Sequence, residues 1–357
     1  MSRAGFSNRA RFAIALFSNS LLMHLAVASS DVSTLHWKQL PSIPDPVGLA
    51  APFAGVSAGA LIVAGGANFP GKMPWEGGLK VWHDAGYLLT DPSATWRSGF
   101  KLPRPIAYGV SVSTPEGVIC AGGADAHKHF HDVFLLRWSG EQITTTPLPP
   151  LPRAMANGCG ALVGTTVYLA GGIERPDATN AMKNFWSLDL RAADPRWREL
   201  EPCPGPARML AVSGASNGDF LIFSGVELAP DQTGKAVRRY LKDAYRFTPG
   251  KGWKAITGLP RPAVAAPSPA IWRDAQLLIV SGDDGALVNF EPKSAHPGFP
   301  RNVLAYDPSA DKWTQLGDSP LSRATVPVVS WRGMSVIPNG EARPGYRTPE
   351  VWALESH

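Results

Sequence analysis

Six pairs of small residues, each following a short apolar run, recur along almost the whole chain. They are Gly65-Gly66, Gly122-Gly123, Gly171-Gly172, Ser224-Gly225, Ser281-Gly282 and Asn339-Gly340. The spacings between successive pairs are 57, 49, 53, 57 and 58 residues. Self-similarity at a period of about 50 residues indicates a repeat architecture in which every repeat forms one structural unit.

Each repeat has the same internal order. An apolar strand such as ALIVA precedes the pair, a loop of variable length follows, and an alternating strand with an aromatic residue comes next. The second repeat ends in EQITTTPLP, but in the other five a tryptophan opens the last strand. These tryptophans are Trp37, Trp96, Trp197, Trp253 and Trp313. The order predicts four-stranded antiparallel blades, as in a propeller of kelch type, and the 36 Gly and 34 Pro suit many short strands joined by turns.

The two ends of the chain predict how the ring closes. The residues after Glu350 provide no fourth strand before the chain ends at His357, whereas the early segment TLHWKQLPSIP resembles other fourth strands such as DKWTQLGDSP. If that segment pairs with EVWALE, the ring closes and no sheet edge is left free. The sequence therefore predicts an all-β, six-bladed kelch-type β-propeller, a single domain over residues 29–357, closed by its N-terminal strand.

The first 28 residues have the features of a cleavable signal peptide. Arg3, Arg9 and Arg11 precede an apolar run that ends in Ala26-Val27-Ala28. We expect cleavage after Ala28 and a periplasmic or secreted protein with no membrane segment; the alternative is an uncut signal anchor. Removing the three arginines lowers the formal charge from +5 to +2, so the basic balance gives no support to nucleic-acid binding.

Polar residues cluster at the positions that face one opening of a propeller. Those positions are the loops that enter an inner strand and the loops that leave the second strand of each blade. Four arginines precede inner strands: Arg104, Arg153, Arg208 and Arg323. Asn68, Glu174, Glu227, Asp283, Asp284 and Glu341 follow small pairs. The arginines could bind a carboxylate ligand through paired hydrogen bonds, or close loops against carbonyl groups of the next blade.

The last of these loops, NGEARPGYRT, is the most specific motif of the chain. Together with AAPFAGVSAGALIVAGGANF, WEGGLKVWHD and RPIAYGVSV, it resembles the N-acetylneuraminate epimerases, also called sialic acid mutarotases. The order of the blades resembles the cyclically permuted branch of that family. The resemblance implies an enzyme that interconverts the α and β anomers of N-acetylneuraminic acid. It also implies a proton-accepting glutamate at Glu341 and a functional arginine at Arg347.

The chemistry of mutarotation suits these residues. A base takes the proton of the anomeric hydroxyl and an acid protonates the ring oxygen, so no cofactor and no metal is expected. Arg347, or otherwise Arg104, would bind the carboxylate of the sugar acid. Arg153, Arg208, Arg323 and Asn68 are further candidates for substrate binding. Tyr108 and Tyr346 could bind sugar hydroxyls or pack in a loop.

Three other functions remain open from the sequence. A copper radical oxidase would need tyrosine, histidine and cysteine ligands, and a metal could bind the alternating histidines of AHKHFHD, namely His127, His129 and His131. A non-catalytic module could bind a glycan or a protein partner, and another sugar could be the substrate of a mutarotase. Glu341 argues against a pure binder of an acidic sugar, because a carboxylate that faces an anionic ligand repels it.

Overall fold

Six four-stranded antiparallel sheets account for most of the computed structural model, which describes residues 35–355. The expected signal peptide, residues 1–28, lies outside the described residues. From the innermost to the outermost strand, the blades are Phe53–Ser57, Ala60–Ala64, Ala85–Leu89 and Arg97–Lys101 (blade 1); Val110–Thr114, Gly117–Ala121, Val133–Trp138 and Ile143–Leu148 (blade 2); Cys159–Val163, Thr166–Ala170, Phe185–Asp189 and Arg198–Glu199 (blade 3); Val212–Ser216, Asp219–Phe223, Ala244–Thr248 and Gly252–Ile256 (blade 4); Ile271–Arg273, Gln276–Val280, Asn302–Asp307 and Lys312–Asp318 (blade 5); and Val329–Trp331, Met334–Pro338, Val351–Glu355 and Trp37–Leu40 (blade 6).

Blade 6 closes the ring as the sequence predicts. The early strand Trp37–Leu40 pairs antiparallel with Val351–Glu355, with Trp37 opposite Leu354 and Leu40 opposite Val351. Both ends of the described chain therefore share one sheet, and the six-bladed, all-β prediction is confirmed. The only helical elements within residues 35–355 are the single 3-10 turns Pro74–Glu76 and Lys293–Ala295, and no helix there is long and apolar enough to cross a membrane.

The repeated tryptophans join neighbouring blades. At or just before the start of four outer strands, a tryptophan Nε1 donates a hydrogen bond to a backbone carbonyl that follows the outer strand of the preceding blade, at 2.7 to 2.9 Å. The indole ring thus contributes apolar packing area, while its one polar atom is satisfied across the blade boundary. The donor and acceptor pairs are Trp96 with Pro41, Trp197 with Pro149, Trp253 with Glu201 and Trp313 with Thr257.

The small pairs turn the chain through left-handed backbone at the end of each second strand. At Gly340, where φ is +101°, an added Cβ would come within 2.8 Å of the Cδ atom of Arg323. A larger residue would therefore clash with Arg323, and its backbone would also be strained at this φ. Ser224 and Ser281 have a positive φ although they are not glycines. The Oγ atom of Ser224 accepts a hydrogen bond from the backbone N–H of Ala263, and that of Ser281 accepts one from the backbone N–H of Arg323. The pair therefore braces the entry of the next blade.

Three extra hairpins grow from the loops that follow the small pairs of blades 1, 4 and 6. We call them hairpins 1, 4 and 6 after their blades. Their strands are Ala67–Asn68 with Val81–Trp82, Val226–Pro230 with Ala236–Tyr240, and Glu341–Arg343 with Tyr346–Arg347. Because a loop after a small pair opens on the same face in every blade, all three stand on one face of the propeller.

Candidate active site

A closed ring of six backbone hydrogen bonds lies across the channel on that face. Each blade contributes one residue from the loop that enters its inner strand, and each N–H donates to the carbonyl of a neighbouring member at 2.6 to 3.1 Å. All six residues have left-handed backbone, with φ from 49° to 65°, which turns each N–H and C=O along the ring. The members, in order of donation, are Ala51, Thr325, Ala265, Leu210, Asn157 and Tyr108.

This ring separates two cavities. Below it, inside the channel, all six members line a small space of about 80 Å³. Above it, Tyr108, Asn157, Leu210 and Thr325 form the floor of a larger cavity of about 510 Å³. That volume is in the range of pockets that bind small molecules. The upper cavity is therefore a blind pocket whose floor is backbone and whose walls are the loops and hairpins of the face.

The walls of the upper cavity carry charged and aromatic side chains. Three cationic residues and two carboxylates are among them, so the charge favours an anionic ligand. Hairpins 1, 4 and 6 provide most of the charged groups. The lining residues, apart from the floor, include Phe69, Lys80, Trp82, Asp125, His129, Arg238, Glu341 and Arg347.

Glu341 and Arg347 face each other across hairpin 6. Arg347 Nη1 donates to Glu341 Oε1 at 2.9 Å, and the backbone N–H of Gly345 donates to the same oxygen at 2.7 Å. Glu341 Oε2 accepts no hydrogen bond from residues 35–355. The side chains are 18% and 4% exposed, respectively. One carboxylate oxygen is thus held by the protein, and the other is left for a ligand in the cavity.

The wall from blade 1 packs directly against this hairpin. Arg347 lies over the ring of Phe69, with 5.0 Å between the guanidinium carbon and the ring centre. The ring of Trp75 packs against Tyr346 at 5.4 Å. A Cβ at Gly345 would meet the Trp75 ring at 2.7 Å. This close packing holds the Glu341–Arg347 pair against the aromatic wall.

His129 and Asp125 form the wall from blade 2. The Nδ1 atom of His129 lies 3.1 Å from the carbonyl oxygen of Ile173, so this nitrogen carries the proton when the ring is neutral. Burial lowers the pKa of His129, although the Ile173 carbonyl and the charge of Asp125 act in the opposite direction. His129 therefore presents a neutral ring to the cavity near pH 7.

Of the residues predicted for catalysis or substrate binding, three line the cavity: Glu341, Arg347 and Tyr108. Asn68 is buried behind the wall. Its amide nitrogen donates to the carbonyl of Gly48 at 3.0 Å, and its amide oxygen lies 2.8 Å from Nε2 of His83. Asn68 thus supports the base of hairpin 1 and does not reach the cavity.

The four predicted arginines lie outside the cavity lining. Arg208 is buried and makes two hydrogen bonds of 2.8 Å to Asp243, and the buried Arg323 pairs with Glu350 at 3.1 Å. Arg104 and Arg153 are exposed, and lie 3.5 Å from Asp132 and 3.7 Å from Glu174. All four precede an inner strand, so they lie at the joint between blades, where each finds a carboxylate of the loop that follows a second strand.

Several cavity residues were not predicted. Lys80 and Trp82 lie in WEGGLKVWHD, a segment that carries the family resemblance but for which no role of these side chains was predicted. His129 lies in AHKHFHD and was considered only as a metal ligand. Arg238, in contrast, lies in the second strand of hairpin 4, a segment with no distinctive motif. The residues 35–355 contain no cluster of three or more His, Cys, Asp or Glu side chains arranged to hold a metal. His127 and His131 are exposed, and only His129 of the three lines the cavity.

Comparison with known proteins identifies relatives of this chain. The family model for N-acetylneuraminate epimerase matches residues 24–145 and 148–291. An N-acetylneuraminate epimerase of Haemophilus influenzae is 29% identical over 227 residues, which cover 57% of this chain and 58% of the relative. One from Yersinia enterocolitica is 27% identical, with 57% and 56% covered. The matched part therefore spans less than two thirds of these relatives.

A solved structure, "Structure of YjhT", has the same fold. It superposes with a TM-score of 0.65 at 13% sequence identity and covers 88% of this chain and 97% of that one. This likeness concerns the architecture alone. The family match ends at residue 291, ahead of Glu341 and Arg347, so the argument for those two residues comes from the cavity itself.

Proposed function

This chain belongs to the N-acetylneuraminate epimerase family, and we propose that it interconverts the α and β anomers of N-acetylneuraminic acid by opening and reclosing the sugar ring. The observation that carries the proposal is the free oxygen of Glu341. Oε1 is held by Arg347 and Gly345, while Oε2 has no partner within residues 35–355. A carboxylate arranged in this way, in a blind pocket of sugar size, is suited to proton transfer.

The reaction requires one proton to move between two oxygens on the same carbon. Glu341 Oε2 takes the proton of the anomeric hydroxyl. The carbonyl then forms as the bond from the anomeric carbon to the ring oxygen breaks, and that oxygen takes the proton from Glu341. The carbonyl group rotates, and the reverse steps close the ring on its other face. Because both oxygens are bonded to one carbon, a single carboxylate oxygen can serve them in turn.

Arg347 acts through Glu341 in this mechanism. Its hydrogen bond to Oε1 keeps the carboxylate in one orientation while Oε2 gains and loses the proton. The buried guanidinium also supplies a positive charge next to the alkoxide that develops on the sugar. The aromatic rings of Phe69 and Trp82 make this side of the cavity apolar. The backbone ring of the floor prevents the substrate from entering the channel.

The proposal predicts a rate effect of Glu341→Gln. Freshly released α-anomer is followed by NMR with and without protein, and the wild type is expected to speed equilibration. A glutamine keeps the shape of the side chain but cannot accept the proton, so the rate should fall roughly 10²- to 10⁴-fold. An unchanged rate of equilibration with the wild-type protein would overturn the proposed function.

The matched control is Glu174→Gln. Glu174 also follows a small pair, but it is exposed, pairs with Arg153 and lies outside the cavity lining. This variant should keep the wild-type rate, and thermal unfolding should show both variants folded. Full activity in Glu341→Gln would leave the function standing and refute the role of this carboxylate. A protein that only binds glycans would show no catalysis in any variant.

A further inference from the structure

Lys80 occupies an aromatic cage on the cavity wall. Its ammonium nitrogen lies 5.0 Å from the ring centre of Tyr108, 5.6 Å from that of Trp82 and 5.8 Å from that of Phe69. The negative faces of aromatic rings attract a cation at such distances. Three rings from two blades therefore hold the end of a flexible side chain at one place in the cavity.

The charge of Lys80 is not balanced by the protein. No carboxylate within residues 35–355 lies at salt-bridge distance from it, whereas the charge of Arg347 is met by Glu341 at 2.9 Å. A caged ammonium with apolar neighbours and no counter-ion binds an anion more strongly than a paired guanidinium does, because it loses no partner on binding.

The neighbours of Lys80 place it close to the reacting group. Phe69 lies under both cations, with the Arg347 guanidinium carbon 5.0 Å from the ring centre. The two cations are therefore separated by no more than those two distances together, so one ligand in the cavity can lie close to both. In addition, the buried indole Nε1 of Trp82 has no hydrogen-bond partner within the described residues and is a second donor beside the ammonium.

We propose that Lys80, held by Phe69, Trp82 and Tyr108, binds the carboxylate of the sugar acid and makes the cavity selective for acidic sugars. The inference rests on the proposed function for the identity of the ligand and names the residue that selects it. The carboxylate is bonded to the anomeric carbon, so a cation at this site would fix that carbon between Lys80 and Glu341. Arg238, which is exposed on hairpin 4, is the alternative cation on the wall.

The test compares N-acetylneuraminic acid with its neutral methyl ester. Binding of both is measured by calorimetry, independently of catalysis. A hydrogen bond to a charged group contributes about 1.5–3 kcal/mol, so the wild type should prefer the acid by roughly 10- to 150-fold. Lys80→Gln should lose most of this preference by binding the acid more weakly, and Lys80→Arg should retain part of it.

Lys72→Gln is the matched control, because Lys72 lies in the same loop, is exposed and does not line the cavity. Its preference should equal that of the wild type. If Lys80→Gln keeps the full preference for the acid, or if Arg238→Gln loses it instead, the inference is wrong. The proposed function would still stand in that case, provided that the wild-type protein catalyses mutarotation. Conversely, binding that depends on Lys80 without any acceleration would refute the proposed function and keep the carboxylate site.

Discussion

The role of each arginine depends on the groups that its guanidinium contacts. Arg208 and Arg347 are both almost fully buried and both pair with a carboxylate. Arg208 is bound at a joint between strands, with a further hydrogen bond of 2.9 Å to the carbonyl of Ser224, whereas Arg347 lies over an open cavity. The sequence offered both arginines as candidates for ligand binding, but it did not show which of them would reach a ligand.

His129 is expected to make stability depend on pH. Burial lowers its pKa from the usual value of 6.5, so the unfolded chain binds a proton more readily than the folded protein as the pH falls below about 6.5. The free energy of unfolding is therefore highest above about pH 6.5 and decreases as the pH falls from there through the pKa of His129 in the folded protein. In His129→Gln, urea unfolding at a series of pH values should show a smaller loss.

His127→Gln is the control for this prediction, because His127 is exposed on the same loop. Its unfolding free energy should vary with pH as in the wild type. Identical pH profiles for His129→Gln and the wild type would show that His129 is not the titrating group.

At the scale of elements, the hairpins that follow the small pairs carry the functional side chains, whereas the four-stranded blades form the scaffold. Hairpin 1 brings Lys80 and Trp82, hairpin 4 brings Arg238, and hairpin 6 brings Glu341 and Arg347. Their lengths vary between blades while the four-stranded core does not. This division is common in folds whose loops carry the function on a rigid scaffold.

The joints between strands are expected to differ in their contribution to stability. Asp243→Asn leaves the guanidinium of Arg208, whose side chain is 2% exposed, without its counter-charge. Removing one partner of a fully buried pair costs about 3–5 kcal/mol, and the loss should approach the lower end of this range because Asp243 is itself 30% exposed. Asp132 occupies the same position before the third strand of blade 2, but it faces the exposed Arg104. Asp132→Asn should therefore cost about 1 kcal/mol or less. Urea unfolding of both variants measures the difference, and equal losses would contradict it.

For the whole molecule, closure by the early strand is the feature that joins the two ends of the described chain. The outer strand of blade 6 covers the edge of Val351–Glu355, and the carbonyl of Pro41 just after it accepts from Trp96 in blade 1. The closing strand thus connects the last blade to the first. The order of the blades along the sequence resembles that of the cyclically permuted branch of the family. The assignment of this chain to that branch remains a prediction.

A chain that starts at Ser42 should therefore be unstable. It lacks Trp37–Leu40 and leaves the edge of Val351–Glu355 free to pair with another molecule. We expect a lower urea midpoint than for a chain that starts at Thr34, and association that increases with concentration in light scattering. Adding the peptide TLHWKQLPSIP should reverse both effects. A monomeric truncated protein with an unchanged midpoint would show that the strand does not close the ring.

The sequence by itself determined the number of blades, the strand order within them, the closure and the loop that carries Glu341 and Arg347. These are local or periodic properties, because a strand, a tight turn and a repeated tryptophan each need only nearby residues or a fixed spacing. The sequence also determined the family.

Only the tertiary structure decided which polar side chains share the cavity. Lys80, His129 and Arg238 come from three blades, and the cage around Lys80 needs Tyr108 from a fourth loop at 5.0 Å. The same holds for the floor, where six residues distant in sequence close one ring of hydrogen bonds. Distances between blades depend on how the ring closes and on the length and packing of each loop, and no spacing within one repeat contains that information.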